Sequence, residues 1–222
     1  MPPGYSRRVT DLGTPGSCPP LRRVVVTGPI GAGKSAVAGL LADRDATVIE
    51  ADAVGHAVLE PNGEAFAAVA GRWPSVVADG TIDRARLAAI VFADRDQLAA
   101  LEALTHPHIV ARIEAAIGPP DGAADGLVAV EMPLLEPPLR WHRLVVLAPT
   151  SMRFWRAVQR GMDPADVTRR MRLQPAAEAW RAAADSVIDN DGDIAALATA
   201  VDRWWATWVA GGVWDGEAAA VP

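Results

Sequence analysis

One lysine occurs in 222 residues, Lys34, and it stands within Gly28-Pro29-Ile30-Gly31-Ala32-Gly33-Lys34-Ser35. The stretch fits the phosphate-loop pattern G-x-x-x-x-G-K-[ST] without a gap. Glycines at 28, 31 and 33 let the backbone wrap an anion with its N–H groups turned inward, and a following helix would present its positive end. Lys34 adds a full charge for the β- and γ-phosphates, and Ser35 adds a hydroxyl for Mg²⁺. Every other permanent side-chain cation is an arginine. Arginine can serve on a solvated surface but not where a compact ammonium must reach between phosphates. Gly28, Pro29, Ile30, Gly31, Ala32, Gly33, Lys34, Ser35 and Ala36 are therefore assigned to a nucleotide, with Ser35 as metal ligand.

Phosphoryl transfer also needs a group for the acceptor and charge over the migrating phosphoryl. Asp52 is the candidate base, following Thr47-Val48-Ile49 and the strand expected beside the phosphate-loop strand. It is equally suited to cap a helix starting at Ala53, and sequence order leaves both roles open. Glu131, at the end of a third strand, has two roles open as well: orienting Mg²⁺ through water, or pairing with an arginine. Arg153, Arg156 and Arg160 recur at helical spacing, and Arg169, Arg170 and Arg172 follow. A solvated helix face accounts for Arg153, Arg169 and Arg172. Arg156 and Arg160 share a face and are the candidates for closing over the transferred group. His106 precedes Pro107 and is either an acceptor contact or a helix-end residue. No His/Cys cluster has metal-ligand spacing.

These residues need a sheet edge and helix ends to hold them. Val24–Thr27, Thr47–Ile49, Leu127–Val130, Leu144–Leu147 and Ser186–Ile188 are short apolar runs bounded by turn formers, as central parallel strands are. The stretch from Ala53 to Ile117 is mostly helical in pattern and too long for one crossover helix. It is expected as an inserted helical region, with Ala78-Asp79-Gly80 as a turn and Gly118-Pro119-Pro120-Asp121-Gly122 as its end. Ser151–Arg160 and Ala165–Leu173 predict two helices joined through Gly161–Pro164. Leu197, Val201, Trp204, Trp205 and Trp208 fall on one stripe, predicting a closing helix packed on the sheet. The fold class is α/β, a three-layer sandwich around a parallel sheet. Its domain runs over 21–210, with a core of about 21–55 and 126–210, an insertion of about 56–118 and an arginine-bearing lid of about 150–175. Residues 1–20 and 211–222 read as a flexible leader and tail.

Half the residues are apolar and the formal charge is −6, which argues against a basic footprint for nucleic acid. The lone cysteine, Cys18, can form no internal disulfide, and no run is apolar enough for a signal peptide or membrane span. A cytoplasmic protein without membrane or nucleic-acid partners is expected, monomeric or weakly self-associating. A GTP switch is disfavoured, because its N-K-x-D element needs a second lysine.

The ordered set of motifs resembles the dephospho-CoA kinase family from about Arg23 to Trp205. Besides the loop, the similar segments are Val48–Asp52, Glu60-Pro61, Asp79–Arg84, Val91-Phe92, Leu104–Pro107, Met132–Leu135, Gln174 and Ala184–Asn190. The resemblance implies ATP-dependent phosphorylation of the ribose 3′-hydroxyl of dephospho-CoA, with Mg²⁺, in the final step of coenzyme A biosynthesis. It implies Asp52 as base, Lys34 and Arg156 as catalytic residues, and Arg160 as a lid contact to the nucleotide. It also implies Asn190 to Gly192 as the adenine-side turn, and His106, Arg112, Pro133 and Leu134 as acceptor contacts. The helical insertion becomes the CoA-binding region. Pro29, Ala36, Glu50, Glu131 and Val110 depart from the family's commoner residues. The alternatives are another small-molecule kinase of the phosphate-loop class, acting on nucleosides or nucleotides, or a catalytically weak nucleotide-binding regulator.

Overall fold

A computed structural model describes residues 22–117 and 126–210. The leader at 1–20 with Cys18, the tail at 211–222 and the break from Gly118 to Gly122 lie outside these residues.

Strand β1 (Arg22–Thr27) leads through the glycine loop into α1 (Lys34–Ala42), and β2 (Thr47–Glu50) runs directly into α2 (Ala51–Val58). The insertion continues with α3 (Phe66–Arg72), a hairpin of β3 (Val77–Ala78) and β4 (Thr81–Ile82), α4 (Arg84–Val91) and α5 (Arg95–Ile117). The chain returns as β5 (Leu127–Glu131) and β6 (His142–Leu147). Helices α6 (Thr150–Gln159), α7 (Pro164–Leu173) and α8 (Ala177–Ala182) follow, then β7 (Ser186–Asp189) and α9 (Ile194–Trp204).

The five long strands pair in parallel in the order β2-β5-β1-β6-β7. All five stretches expected as strands are present, but one spatial expectation is overturned. Strand β2 is not beside β1, because β5 lies between them and β2 forms an edge. Consecutive strands need not be neighbours when a long insertion separates their return, and here β5 takes the inner place. Thus Glu131, not Asp52, ends the strand next to the phosphate loop.

The Val24-Val25-Val26 run is buried on both faces, which is why it does not alternate with polar residues. Val24 and Val26 join a cluster with Val37 and Leu41 of α1 and Leu197, Val201 and Trp204 of α9. Val25 and Val130 pack on the other side with Ala51 and Ile113. The tryptophan stripe is therefore the expected closing helix, with Trp204 buried and Trp205 and Trp208 packed against the core. Within the insertion, Val58, Val69, Trp73, Val76, Leu87 and Val91 form a cluster of their own.

The insertion departs from a purely helical pattern at Val77–Ile82. Asp79 and Gly80 both take positive φ, 49° and 74°, the conformation of a two-residue hairpin turn. Helix α5 also runs through Pro107. A proline there removes the hydrogen bond to the carbonyl of Ala103, but both residues are exposed, so water can serve the freed oxygen. His106 is consequently a mid-helix residue, and the helix-end expectation is wrong.

Candidate active site

The phosphate loop is moulded by packing from three later segments. Gly28, Gly31 and Gly33 have φ of 142°, 74° and 103°. A Cβ on Gly28 would meet the Val146 carbonyl at 2.2 Å, one on Gly31 the Arg153 carbonyl at 2.2 Å, and one on Gly33 the Asn190 amide at 2.2 Å. Both backbone angle and space exclude a side chain at these positions.

Lys34 opens α1, and its Nζ donates to the Pro29 carbonyl at 3.4 Å. Burial holds this ammonium below the ordinary lysine range; Glu131 and then Asp52 pull it upward, while Arg160 and Arg153 push it down. The loop lysine therefore sits in the field of both carboxylates and both arginines. The Ser35 hydroxyl donates to Glu131 Oε1 at 2.9 Å. Glu50 and Glu131 are register partners where β2 and β5 end, so three acidic side chains mark this edge with Asp52. Ligands of open α/β sheets bind at this edge.

Asp52 is exposed in the first turn of α2, whose N-cap position is Glu50 with no side-chain cap bond. The helix begins at Ala51 rather than Ala53, so Asp52 does not cap it.

The segment after Glu131 folds over the end of β1. Met132 N–H donates to the Val26 carbonyl at 3.1 Å, and Thr27 Oγ1 donates to the Leu134 carbonyl at 2.6 Å. Pro133 is exposed and Leu134 half-buried beside the loop strand. On the opposite side, Asn190 Nδ2 donates to the Ala32 carbonyl at 2.8 Å. Arg156 donates to the carbonyls of Asn190 and Gly192 at 3.1 and 3.3 Å, and to Asn190 Oδ1 at 3.2 Å. In this state Arg156 braces the 190–192 turn instead of lying free on a lid. Arg160 caps the C-terminal end of α6 and is exposed.

Arg153 corrects the expectation of a solvated face. It is only 8% exposed, and its Nε donates to the Ile30 carbonyl at 3.0 Å. The available sign in the sequence was its position one turn before Ala157, on the buried stripe of α6. Arg169 and Arg170 are exposed and both pair with Asp166, and Arg172 is exposed, in keeping with solvated positions.

The insertion carries the remaining candidates. Gly55 of α2 faces Ile109 of α5, where a Cβ would have 3.6 Å to Ile109 Cδ1. His106 is half-buried one turn before Ile109. Arg112 is committed to Glu64, with Nε donating at 3.0 Å and Nη2 at 2.8 Å, and this pairing holds the Glu64 carboxyl below its ordinary range. His56, one helical turn beyond Asp52, lines a recess with Glu60, Pro61, Thr81 and Arg84. No motif or spacing in the sequence marks His56 as a site residue. Among the described residues no group of three or more His, Cys, Asp or Glu could hold a metal ion, and no helix is long and apolar enough to cross a membrane.

A family model described as dephospho-CoA kinase matches residues 22–196. A dephospho-CoA kinase of Deinococcus radiodurans is 41% identical over 186 residues, covering 82% of this chain and 89% of its own. One of Corynebacterium jeikeium is 38% identical over 186 residues, covering 81% and 96%. A Thermus thermophilus protein of known structure superposes with a TM-score of 0.72 at 32% identity, covering 84% of this chain and 97% of the other. The dephospho-CoA kinase of Campylobacter jejuni superposes at 0.63 and 24% identity, covering 86% and 98%, and shares the fold.

Proposed function

The chain belongs to the dephospho-CoA kinase family and is a kinase of coenzyme A biosynthesis; from that premise we propose how its own residues carry the transfer. The acceptor is the ribose 3′-hydroxyl of dephospho-CoA, and the donor is ATP. The alternatives, a nucleoside or nucleotide kinase and a weak nucleotide-binding regulator, are not favoured.

Backbone N–H groups of the 28–35 loop and the Lys34 ammonium hold the β- and γ-phosphates. The adenine lies against the turn of Asn190 to Gly192, which Arg156 keeps in shape. Ser35 and Glu131 fit a hard divalent cation, since both offer oxygen and stand 2.9 Å apart. A Mg²⁺ held by these two residues would supply positive charge against the phosphate oxygens. Asp52 accepts the 3′-hydroxyl proton as the oxygen forms its bond to the γ-phosphorus, and the bond from that phosphorus to the β-bridging oxygen breaks to leave ADP. Arg160 approaches the transferred group from the end of α6 and shields it from water. The acceptor runs from Asp52 along α2 toward His56 and Arg84, with Pro133, Leu134 and His106 flanking it. Arg112 reaches an acceptor phosphate only by leaving Glu64. The insertion thus serves as the CoA-binding region and the α6–α7 hairpin as the lid, in a cytoplasmic enzyme that is monomeric or weakly self-associating.

The observation that carries this scheme is the pairing of Glu131 with Glu50, two residues before Asp52, together with the 2.9 Å bond to Glu131 from Ser35, the residue after Lys34; it puts base, metal ligand and phosphate cation at one sheet edge. Purified protein with Mg·ATP and dephospho-CoA, adenosine or AMP, followed by ADP release, tests it. Turnover confined to dephospho-CoA is expected. Turnover only with AMP or adenosine would refute the acceptor assignment.

A further inference from the structure

Two side chains outside the glycine motif hold its Pro29–Ile30 corner. Gln174, which follows α7, offers one carbonyl oxygen to two donors, the Ile30 N–H at 3.0 Å and Arg153 Nη2 at 3.0 Å. Arg153 Nε donates to the Ile30 carbonyl at 3.0 Å, closing a ring of three residues from the loop, α6 and the end of α7. Both backbone polar groups of Ile30 are engaged in it. The Ile30 N–H is therefore spent on Gln174, as the Ala32 N–H is on the Pro29 carbonyl at 3.2 Å.

The ring is anchored as well as closed. Arg153 is buried, and its own carbonyl occupies the space beside Gly31. Removing Gln174 would leave the Ile30 N–H and the Arg153 Nη2 without their shared acceptor. The corner could then take other shapes, and nucleotide affinity would fall by the fraction of loops no longer competent to bind. We propose that Gln174, acting through Arg153, is a positioning residue that makes the shape of the phosphate loop depend on how the end of α7 is seated. This rests on the assignment of residues 28–35 to ATP, and Gln174 itself need touch no reacting atom.

The test uses the full chain with Gln174→Ala, Gln174→Asn, which is one methylene short of reach, and Gln174→Glu, which keeps an acceptor oxygen at the same reach. Mg·ADP binding by calorimetry and the KM for ATP and for dephospho-CoA are measured for each. Losing the shared acceptor should weaken Mg·ADP and raise the KM for ATP about tenfold in the Ala and Asn variants, with the KM for dephospho-CoA changed by less than about twofold. Gln174→Glu should recover most of that loss. The inference is overturned if either shortened variant binds Mg·ADP like the parent, if both KM values rise together, or if glutamate restores nothing. A parent that binds no Mg·ADP would overturn the nucleotide assignment itself, an outcome separable from equal binding by parent and variant.

Discussion

Asn190 and Ala32, 158 residues apart, are joined by a buried hydrogen bond in which the Asn190 amide donates to the Ala32 carbonyl at 2.8 Å. The same nitrogen stands 2.2 Å from where a Cβ of Gly33 would be. One side chain thus supports the phosphate loop and occupies the room that a larger residue would need.

Gly33→Ala should therefore remove measurable nucleotide binding and destabilise the chain by about 1–3 kcal/mol, through positive φ and the collision with Asn190. Asn190→Ala relieves the collision but leaves the Ala32 carbonyl without its donor, and should weaken ATP roughly tenfold. Urea denaturation and nucleotide titration check both. Normal ATP affinity in Gly33→Ala would contradict the mould described for this loop.

Asp52→Asn should lower kcat by roughly 10²–10³ while ATP affinity stays near the parent value, because the amide keeps the shape but cannot take the proton. Asp52 is the second carboxylate acting on Lys34, after Glu131, so loss of its charge should disturb phosphate binding least. Parallel measurement of kcat and the ATP dissociation constant decides it. A large fall in ATP binding would make Asp52 a structural or metal-holding residue instead.

Glu131→Gln keeps an acceptor for the Ser35 hydroxyl but removes the largest opposing charge on Lys34. The Mg²⁺ concentration for half-maximal rate should rise about tenfold, with much of the rate regained at saturating Mg²⁺. An unchanged Mg²⁺ dependence would exclude Glu131 from the metal site.

His142 makes folding stability depend on pH. Trp204 Nε1 donates to Ser186 Oγ at 2.8 Å, which leaves the serine hydrogen available to an unprotonated His142 Nε2, also at 2.8 Å. Burial holds the imidazole below its ordinary value, and Asp185 only partly opposes this. The folded state thus favours the neutral ring. Its contribution is complete above pH of about 6.5, the unfolded value, and is lost as pH falls from there through the folded pKa. Melting curves from pH 8 to pH 5 should show a steeper low-pH loss in the parent than in His142→Phe. Parallel curves would show that His142 contributes no such dependence.

Motif and pattern reached some of these features and not others. The phosphate loop was legible because its glycines, lysine and serine are contiguous, and the strands because β-branched runs buried on both faces stand out against polar turns. Sheet order was not legible: β2 precedes β5 in the chain by a long insertion, and only pairing reveals that β5 takes the inner position. Arg153 was misjudged because nothing in the spacing of α6 says that its buried face looks onto the Ile30 carbonyl. Pro107 misled for a different reason, since a helix can pass through proline when the freed carbonyl faces water.

The three glycines of the phosphate loop are complementary to surfaces made much later in the chain, by Val146, Arg153 and Asn190. Nucleotide competence should therefore emerge in a definite order during synthesis. A nascent chain released through β5 carries the complete motif, yet it lacks every surface that shapes it. Only when β7 has left the ribosome can the loop close around its mould, so a truncated product should neither capture ATP nor compete with the finished enzyme for it. Nucleotide binding by a fragment ending at Glu131 would show that the loop shapes itself.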